Sequence, residues 1–186
     1  YLTQCPANRG IGMRASVMLH LPALEKSRTI GRIAGNLSKL GLTIRGAYGE
    51  GSEPSGSLYQ LSNQVTLGIS EKAAIENLEN ITKQLVSQEQ QARERLAKSI
   101  DIQDSVSRSL GLLKSAMVMT HDEALKLLSN VRFGILSGQI KDVTAEVVDS
   151  LMEKIEPATL MVNAGKNLSA QERDIERAKI LREALS

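Results

Sequence analysis

The chain has one cysteine, two histidines, no tryptophan and only 2% aromatic residues among its 186 positions. A single thiol excludes an internal disulfide and fits a reducing compartment. Two histidines and one cysteine, far apart in sequence, argue against a zinc centre. With so few aromatic rings, the core must be built from Leu, Ile, Val, Ala and Met. No apolar run approaches the ~18 residues of a membrane span, and no signal-peptide pattern opens the sequence. The expectation is a cytoplasmic protein, for which the Asn-x-Ser/Thr triplets at Asn36, Asn80 and Asn167 carry no meaning. No Walker A pattern is present. The stretch Gly10-Ile-Gly12-Met-Arg-Ala15 matches G-x-G-x-x-A, but a strand rather than a helix is expected after it, and no acid stands about 20 residues on.

What remains is an ordinary globular composition, 41% hydrophobic and 24% charged. It is long enough for one solid core, or a core plus a small appendage. The first residue is Tyr1, and Leu2-Thr-Gln4 reads like the inside of a strand, so a fragment of a longer protein is expected. The net charge of +2 is uneven. Residues 1–50 carry seven Lys/Arg against Glu25 and Glu50, a balance of +5, while the rest of the chain balances at −3. The first part could attract an anion. Nucleic acid is disfavoured, because the basic residues lack interleaved aromatics and no groove-reading motif is present.

The hydrophobic pattern predicts an α+β arrangement: part of an antiparallel sheet flanked by helices, followed by an all-helical segment. Strands are expected over 13–21, 42–44 and 57–67, with one helix over 22–39 between the first two and Gly41 as its cap. Residues 47–56 read as a mobile surface loop. From Ser70 onward helices are expected: one of about 28 residues striped by Ala74, Leu78, Ile81, Leu85 and Ala92, then 104–117, 121–136, 143–155 and 169–185, with Pro157 ending the fourth. A domain boundary is placed near residue 100, dividing 1–100 from 101–186.

Two loops carry the chemistry. The first is Cys5-Pro-Ala-Asn-Arg9-Gly10-Ile11-Gly12-Met-Arg14; the second is Arg45-Gly-Ala-Tyr-Gly-Glu50-Gly-Ser. Glycines let backbone N–H groups approach a phosphate, so Gly10 and Gly12 fit that role. Arg14 and Arg45 stand at strand ends, where a guanidinium can fork onto two phosphate oxygens. A carboxylate such as Glu50 can align a guanidinium and help remove its proton, although an ordinary loop glutamate has the same spacing. Cys5 reads either as a thiolate stabilised by arginines or as a small buried apolar residue. Together the loops suit a site that clamps a phosphate chain on one side and a guanidinium on the other.

The segment Cys-Pro-Ala-Asn-x-Gly-x-Gly-x-Arg-Ala-Ser-Val resembles the C-P-x-N-x-G-x-G-x-R element of phosphagen (ATP:guanidino) kinases, and Arg45-Gly-x-x-Gly-Glu50 resembles their mobile substrate loop. Ser62-Asn63 and Leu67-Gly-x-Ser70-Glu71 are similar to the stretch after it. The extension beyond residue 100 is foreign to those enzymes and resembles the C-terminal part of bacterial protein-arginine kinases, with Arg173-Asp174-Ile-Glu-Arg177-Ala178 matching their R-D-x-x-R-A element.

The resemblance implies ATP, with Mg2+ carried on the nucleotide, and proteins bearing arginine as phosphoryl acceptors, in bacterial stress response and protein quality control. It implies Arg14 and Arg45 on the ATP phosphates, Cys5 and Glu50 at the guanidinium, and Arg173, Asp174 and Arg177 at an allosteric phosphoarginine site. Two departures, Arg9 for the usual Leu and Ile11 for the usual Thr, alter the phosphate loop. The family's other catalytic glutamate and further arginines precede the cysteine, so these 186 residues alone are expected not to turn over.

The last helix reads physically as well. Ser169-Ala-Gln-Glu172 is a capping box, and Arg173 and Arg177 are i,i+4 neighbours, either a receptor for a phosphorylated side chain or a solvated face paired with Glu172 and Glu176. The stripe Leu110, Leu112, Leu113, Met117, Leu125, Leu127, Leu128, Val131 and Phe133 reads as burial against the first segment or as a homodimer interface. The alternatives to a protein-arginine kinase are a phosphoarginine-binding and dimerisation module, or a kinase of a small free guanidino compound.

Overall fold

In a computed structural model the described residues are 12–46, 54–65 and 68–186. The chain forms two compact units, residues 1–92 and 93–186. The first holds a three-stranded antiparallel sheet and the second is helical throughout its described length, the expected α+β class.

In the first unit, β1 (Ser16–His20) and β2 (Leu42–Gly46) flank the central β3 (Leu58–Asn63). The register sets Leu19 opposite Tyr59, Ile44 opposite Leu61 and Leu42 opposite Asn63. Side chains alternate along a strand, so Leu19, Leu42, Tyr59 and Leu61, all buried, share the face that the helices cover. The opposite face carries Ser16, Met18, Thr43, Arg45, Gln60 and Ser62.

The single helix expected over 22–39 is two, α1 (Pro22–Lys26) and α2 (Ile30–Lys39). The break accompanies hydroxyl bonds back to the last turn of α1: Ser27 Oγ donates to Ala23 O at 2.7 Å and Thr29 Oγ1 to Leu24 O at 3.0 Å, beside the backbone bonds to the same carbonyls. Arg28 between them takes φ 55°. α2 buries Ile33 and Leu37 and ends as expected at Gly41, whose φ of +70° and closeness to Val65 Cγ2, 2.8 Å from where a Cβ would sit, suit glycine. α3 (Glu71–Leu96) buries Ala74, Leu78, Leu85, Glu89 and Ala92.

The second unit contains α4 (Ile100–Ser115), α5 (His121–Leu136), α6 (Ala145–Lys154), α7 (Pro157–Ala164) and α8 (Ala170–Leu185). α4 starts four residues earlier than expected. Pro157 does not merely end α6; it opens α7, which the sequence reading missed. Proline at the first helical position loses no hydrogen bond, because that N–H would have no partner anyway. Leu113, Leu125, Leu128 and Val131 pack with Val148, Leu151, Ile155 and Leu181 into one core. The apolar stripe is therefore largely buried within the unit, while Leu112, Met117 and Val118 remain 47%, 69% and 53% exposed.

The capping box at Ser169 is formed as expected. Ser169 Oγ accepts from Glu172 N–H at 3.3 Å, and Glu172 Oε2 accepts from Ser169 N–H at 2.8 Å. That backbone hydrogen bond is the main reason the Glu172 carboxyl sits below its ordinary value. A carboxyl lowered in the folded state stabilises at pH above its unfolded value, and the contribution is lost as pH falls through the lowered one. Acidification below about pH 4 should therefore fray the start of α8 first. Protection of the Ser169 amide, taken relative to its intrinsic exchange rate at each pH, should fall on acidification, and Glu172→Gln should weaken that pH dependence. Protection indifferent to pH would refute the linkage.

Candidate active site

The sheet brings two of the expected site residues to one face. Arg45 lies on β2 directly opposite Gln60 of β3, on the polar face of the sheet. Arg14 precedes β1 by two residues, but pairing persists there: Asn63 N–H donates to Ala15 O at 3.2 Å. By strand alternation Arg14 shares the face of Ser16 and Met18, and its Nη2 donates to Ser62 Oγ at 3.4 Å on that face. The two arginines thus rise on either side of the central strand, two strand spacings or about 10 Å across the sheet and four residues or about 13 Å apart along it. Arg14 is exposed and Arg45 half-buried. Gly12 is exposed with φ 65°, a backbone state that glycine adopts without strain. Chemically, such a face can fork several N–H donors onto one polyphosphate and neutralise charge on it. Cys5, Gly10 and Glu50, with Arg9 and Ile11, lie outside the described residues.

Around Arg14 the support is specific. The Asn63 side chain accepts from Ala15 N–H through Oδ1 at 2.7 Å and donates from Nδ2 to Met13 O at 3.1 Å. Asn63 and Ser62 are 5% and 1% exposed. Sequence reading noted this pair by resemblance without giving it a role.

Behind the sheet, Glu89 of α3 was missed altogether. Its Oε1 and Oε2 accept from the N–H groups of Ala23 and Leu24 at 2.8 and 2.9 Å. Tyr59 OH donates to Glu25 Oε2 at 2.9 Å. Burial, then this hydrogen bond and the charges of Glu25 and Glu89, push the Tyr59 phenol well above its ordinary value. The signal for Glu89 was an acid one helical turn after Leu85, in the middle of the apolar stripe.

In the helical unit, Arg173, Asp174 and Arg177 come from one stretch of α8 but have different surroundings. Arg177 is 1% exposed. Its Nε donates to Ile155 O at 3.1 Å, and its Nη1 to Met119 O at 2.8 Å and to Asp174 Oδ1 at 2.6 Å. Asp174 keeps 26% of its side chain exposed. Arg173 is half-buried and its Nη1 donates to Leu168 O at 2.7 Å. A hollow of about 410 Å³ beside α8 is lined by Lys166, Leu168, Glu172, Ile175 and Glu176, whose α8 residues lie about a third of a turn around the helix from Arg173 and Arg177. Among the described residues no group of three or more His, Cys, Asp or Glu is placed to hold a metal ion, and no helix is long and apolar enough to cross a membrane.

These arrangements can be set beside known proteins. Residues 1–92 match the family model of the ATP:guanido phosphotransferase C-terminal catalytic domain. Residues 99–186 match that of the protein-arginine kinase McsB C-terminal domain. The chain is 50% identical over 188 residues to the protein-arginine kinase of Halothermothrix orenii, covering 100% of this chain and 54% of that relative. It is 46% identical over 187 residues to that of Clostridium acetobutylicum, covering 100% of this chain and 55% of the relative. It is 48% identical over 187 residues to that of a Geobacillus species, with 100% and 52% covered. The chain therefore spans about half the length of the curated relatives it matches.

Proposed function

From the premise that this chain belongs to the protein-arginine kinase family, an ATP:guanido phosphotransferase C-terminal catalytic domain followed by a McsB C-terminal domain, we propose that it carries part of the site that moves the γ-phosphoryl group of ATP onto arginine side chains of proteins. The single observation that supports this most is the common sheet face of Arg14 and Arg45. In this reading both guanidinium groups fork onto the ATP phosphates, and the backbone at Gly10 and Gly12 adds N–H donors. Mg2+ travels on the nucleotide phosphates and adds positive charge there. Cys5 contacts the substrate guanidinium and Glu50 aligns it. A guanidino nitrogen attacks the γ-phosphorus in line and the bond to the β,γ-bridging oxygen breaks. ADP leaves, and the nitrogen's proton passes to the Glu50 carboxylate. Positioning and charge neutralisation supply most of the acceleration.

The helical unit has its own part in the reading. Asp174 is partly exposed and held by Arg177, which supports a phosphoarginine-binding site in which Asp174 faces the ligand's guanidino group, Arg173 its phosphate, and Arg177 frames both. The exposed Leu112, Met117 and Val118 support self-association through this unit as a homodimer.

The test uses the full-length protein with ATP labelled at the γ-phosphate. Acid-labile label should appear on an arginine-rich protein acceptor, and Arg45→Ala should slow transfer by about 100-fold. Equal labelling of free arginine would favour a kinase of small guanidino compounds. Phosphoarginine binding without any transfer would leave only the binding module.

A further inference from the structure

Arg14 stands just outside a regular strand, on a segment bonded to the end of β3. We propose that Asn63, assisted by Ser62, is the positioning residue of Arg14: its carboxamide brackets the backbone on both sides of that arginine while the neighbouring hydroxyl holds the guanidinium. The proposal rests on the reading of Arg14 as a phosphate-binding residue and assigns the device that aims it.

The geometry is a clamp. Oδ1 of Asn63 takes the N–H of Ala15 at 2.7 Å, and Nδ2 gives its hydrogen to Met13 O at 3.1 Å. The Asn63 backbone N–H adds a third bond, to Ala15 O at 3.2 Å. The residues held are the two that flank Arg14, so the Cα–Cβ direction of Arg14 is fixed from the central strand. From the adjacent position Ser62 Oγ receives Arg14 Nη2 at 3.4 Å, a long contact that biases the guanidinium without consuming its other donors. Both clamp residues are buried and lie on β3, the strand hydrogen-bonded on both sides. A carboxamide is required because one acceptor and one donor must act two residues apart. A carboxylate has the same shape but no donor, and would set a lone pair against Met13 O. A phosphate-binding arginine misplaced by about 1 Å can lose up to ~100-fold in rate, so the clamp acts on turnover through Arg14 alone.

The experiment is a set of double-mutant cycles in the full-length protein, with kcat and the KM for ATP measured for each variant. Asn63→Ala should lower kcat/KM for ATP roughly tenfold or more. The isosteric Asn63→Asp should lose a similar amount, and Ser62→Ala two- to threefold. The Asn63 effect should vanish in an Arg14→Ala background and persist in an Arg45→Ala background. If both Asn63 variants fail to fold, the Ser62→Ala cycle with Arg14→Ala carries the test. An equal loss from Asn63→Ala with and without Arg14 overturns the positioning role while leaving the phosphate reading intact. So does a fall in thermal midpoint with kcat and KM unchanged. Full turnover in Arg14→Ala overturns the phosphate reading and this proposal with it.

Discussion

Replacing Arg177 with alanine should lower the thermal midpoint of the helical unit by about 12 °C or more. The side chain is 1% exposed, and a guanidinium cannot shed its charge to adapt. It therefore persists only because acceptors surround it. Its bonds reach Met119 O in the α4–α5 connection, Ile155 O after α6, and Asp174 on its own helix. One side chain thus ties three separate parts of the unit together. Truncation leaves two carbonyls and a carboxylate without that donor and opens a cavity. Removing one partner of a buried charge pair costs about 3–5 kcal/mol. For a unit of this size each kcal/mol moves the midpoint by about 4–8 °C. Arg177→Lys should recover less than half of the loss, since an ammonium is too compact to reach all three acceptors at once. Thermal melts that agree within 2 °C would show that Arg177 does not frame the unit. Lost phosphoarginine binding in an Arg177→Ala variant would report unfolding as readily as a missing contact. Arg173→Ala is the cleaner probe, because Arg173 is half-buried and makes one bond, to Leu168 O.

The order of strands and helices was legible because it rests on local signals. Apolar runs at 13–21 and 42–44 and an imperfect alternation over 57–67 gave the three strands, Ser169 and Glu172 gave the start of α8, and Gly41 gave the end of α2. Errors arose where a residue has two uses. Ser27 and Thr29 fit a helix by propensity, yet they flank Arg28 at φ 55°, where the helical backbone stops, and their hydroxyls bond back to the last turn of α1. Pro157 was read as a stop, but the same locked φ makes it a start. Of the candidate site, the shared face of Arg14 and Arg45 follows from strand parity once the register is known, and register is a long-range property. The sequence could not show that Ser62 and Asn63, 48 residues beyond Arg14 and Ala15 respectively, meet them. Nor could it separate Arg173 from Arg177. Helical spacing makes them equivalent neighbours, and only the packing of Met119 and Ile155 against α8 sets one of them in the interior.

Glu89→Ala should be nearly as costly in the first unit, about 3 kcal/mol, because this carboxylate caps a helix from another element. α1 is only five residues long, and its N-cap Leu21 makes no side-chain cap bond. Pro22 lacks an N–H, so the first available donors are Ala23 and Leu24, and Glu89 takes both at 2.8 and 2.9 Å. A negative charge there also suits the positive end of the helix. Alanine would leave two buried N–H groups unsatisfied, at about 1–3 kcal/mol each. Glu89→Gln keeps one acceptor oxygen and should lose about half as much. Both variants also remove a negative charge that acts on Tyr59. The Glu89 charge helps to hold its phenol above the ordinary value, so Glu89→Gln should bring Tyr59 ionisation down in pH while α1 stays in place. A phenol raised in the folded state contributes stability that is intact below its unfolded value, near pH 10, and lost as pH rises beyond it. Wild type should therefore weaken in alkali more steeply than Glu89→Gln. Amide exchange gives the decisive readout: the Ala23 and Leu24 protons, protected in wild type, should exchange far faster in Glu89→Ala. If they do not, the carboxylate is not what anchors α1, and the link from α3 through α1 to the central strand at Tyr59 must be abandoned.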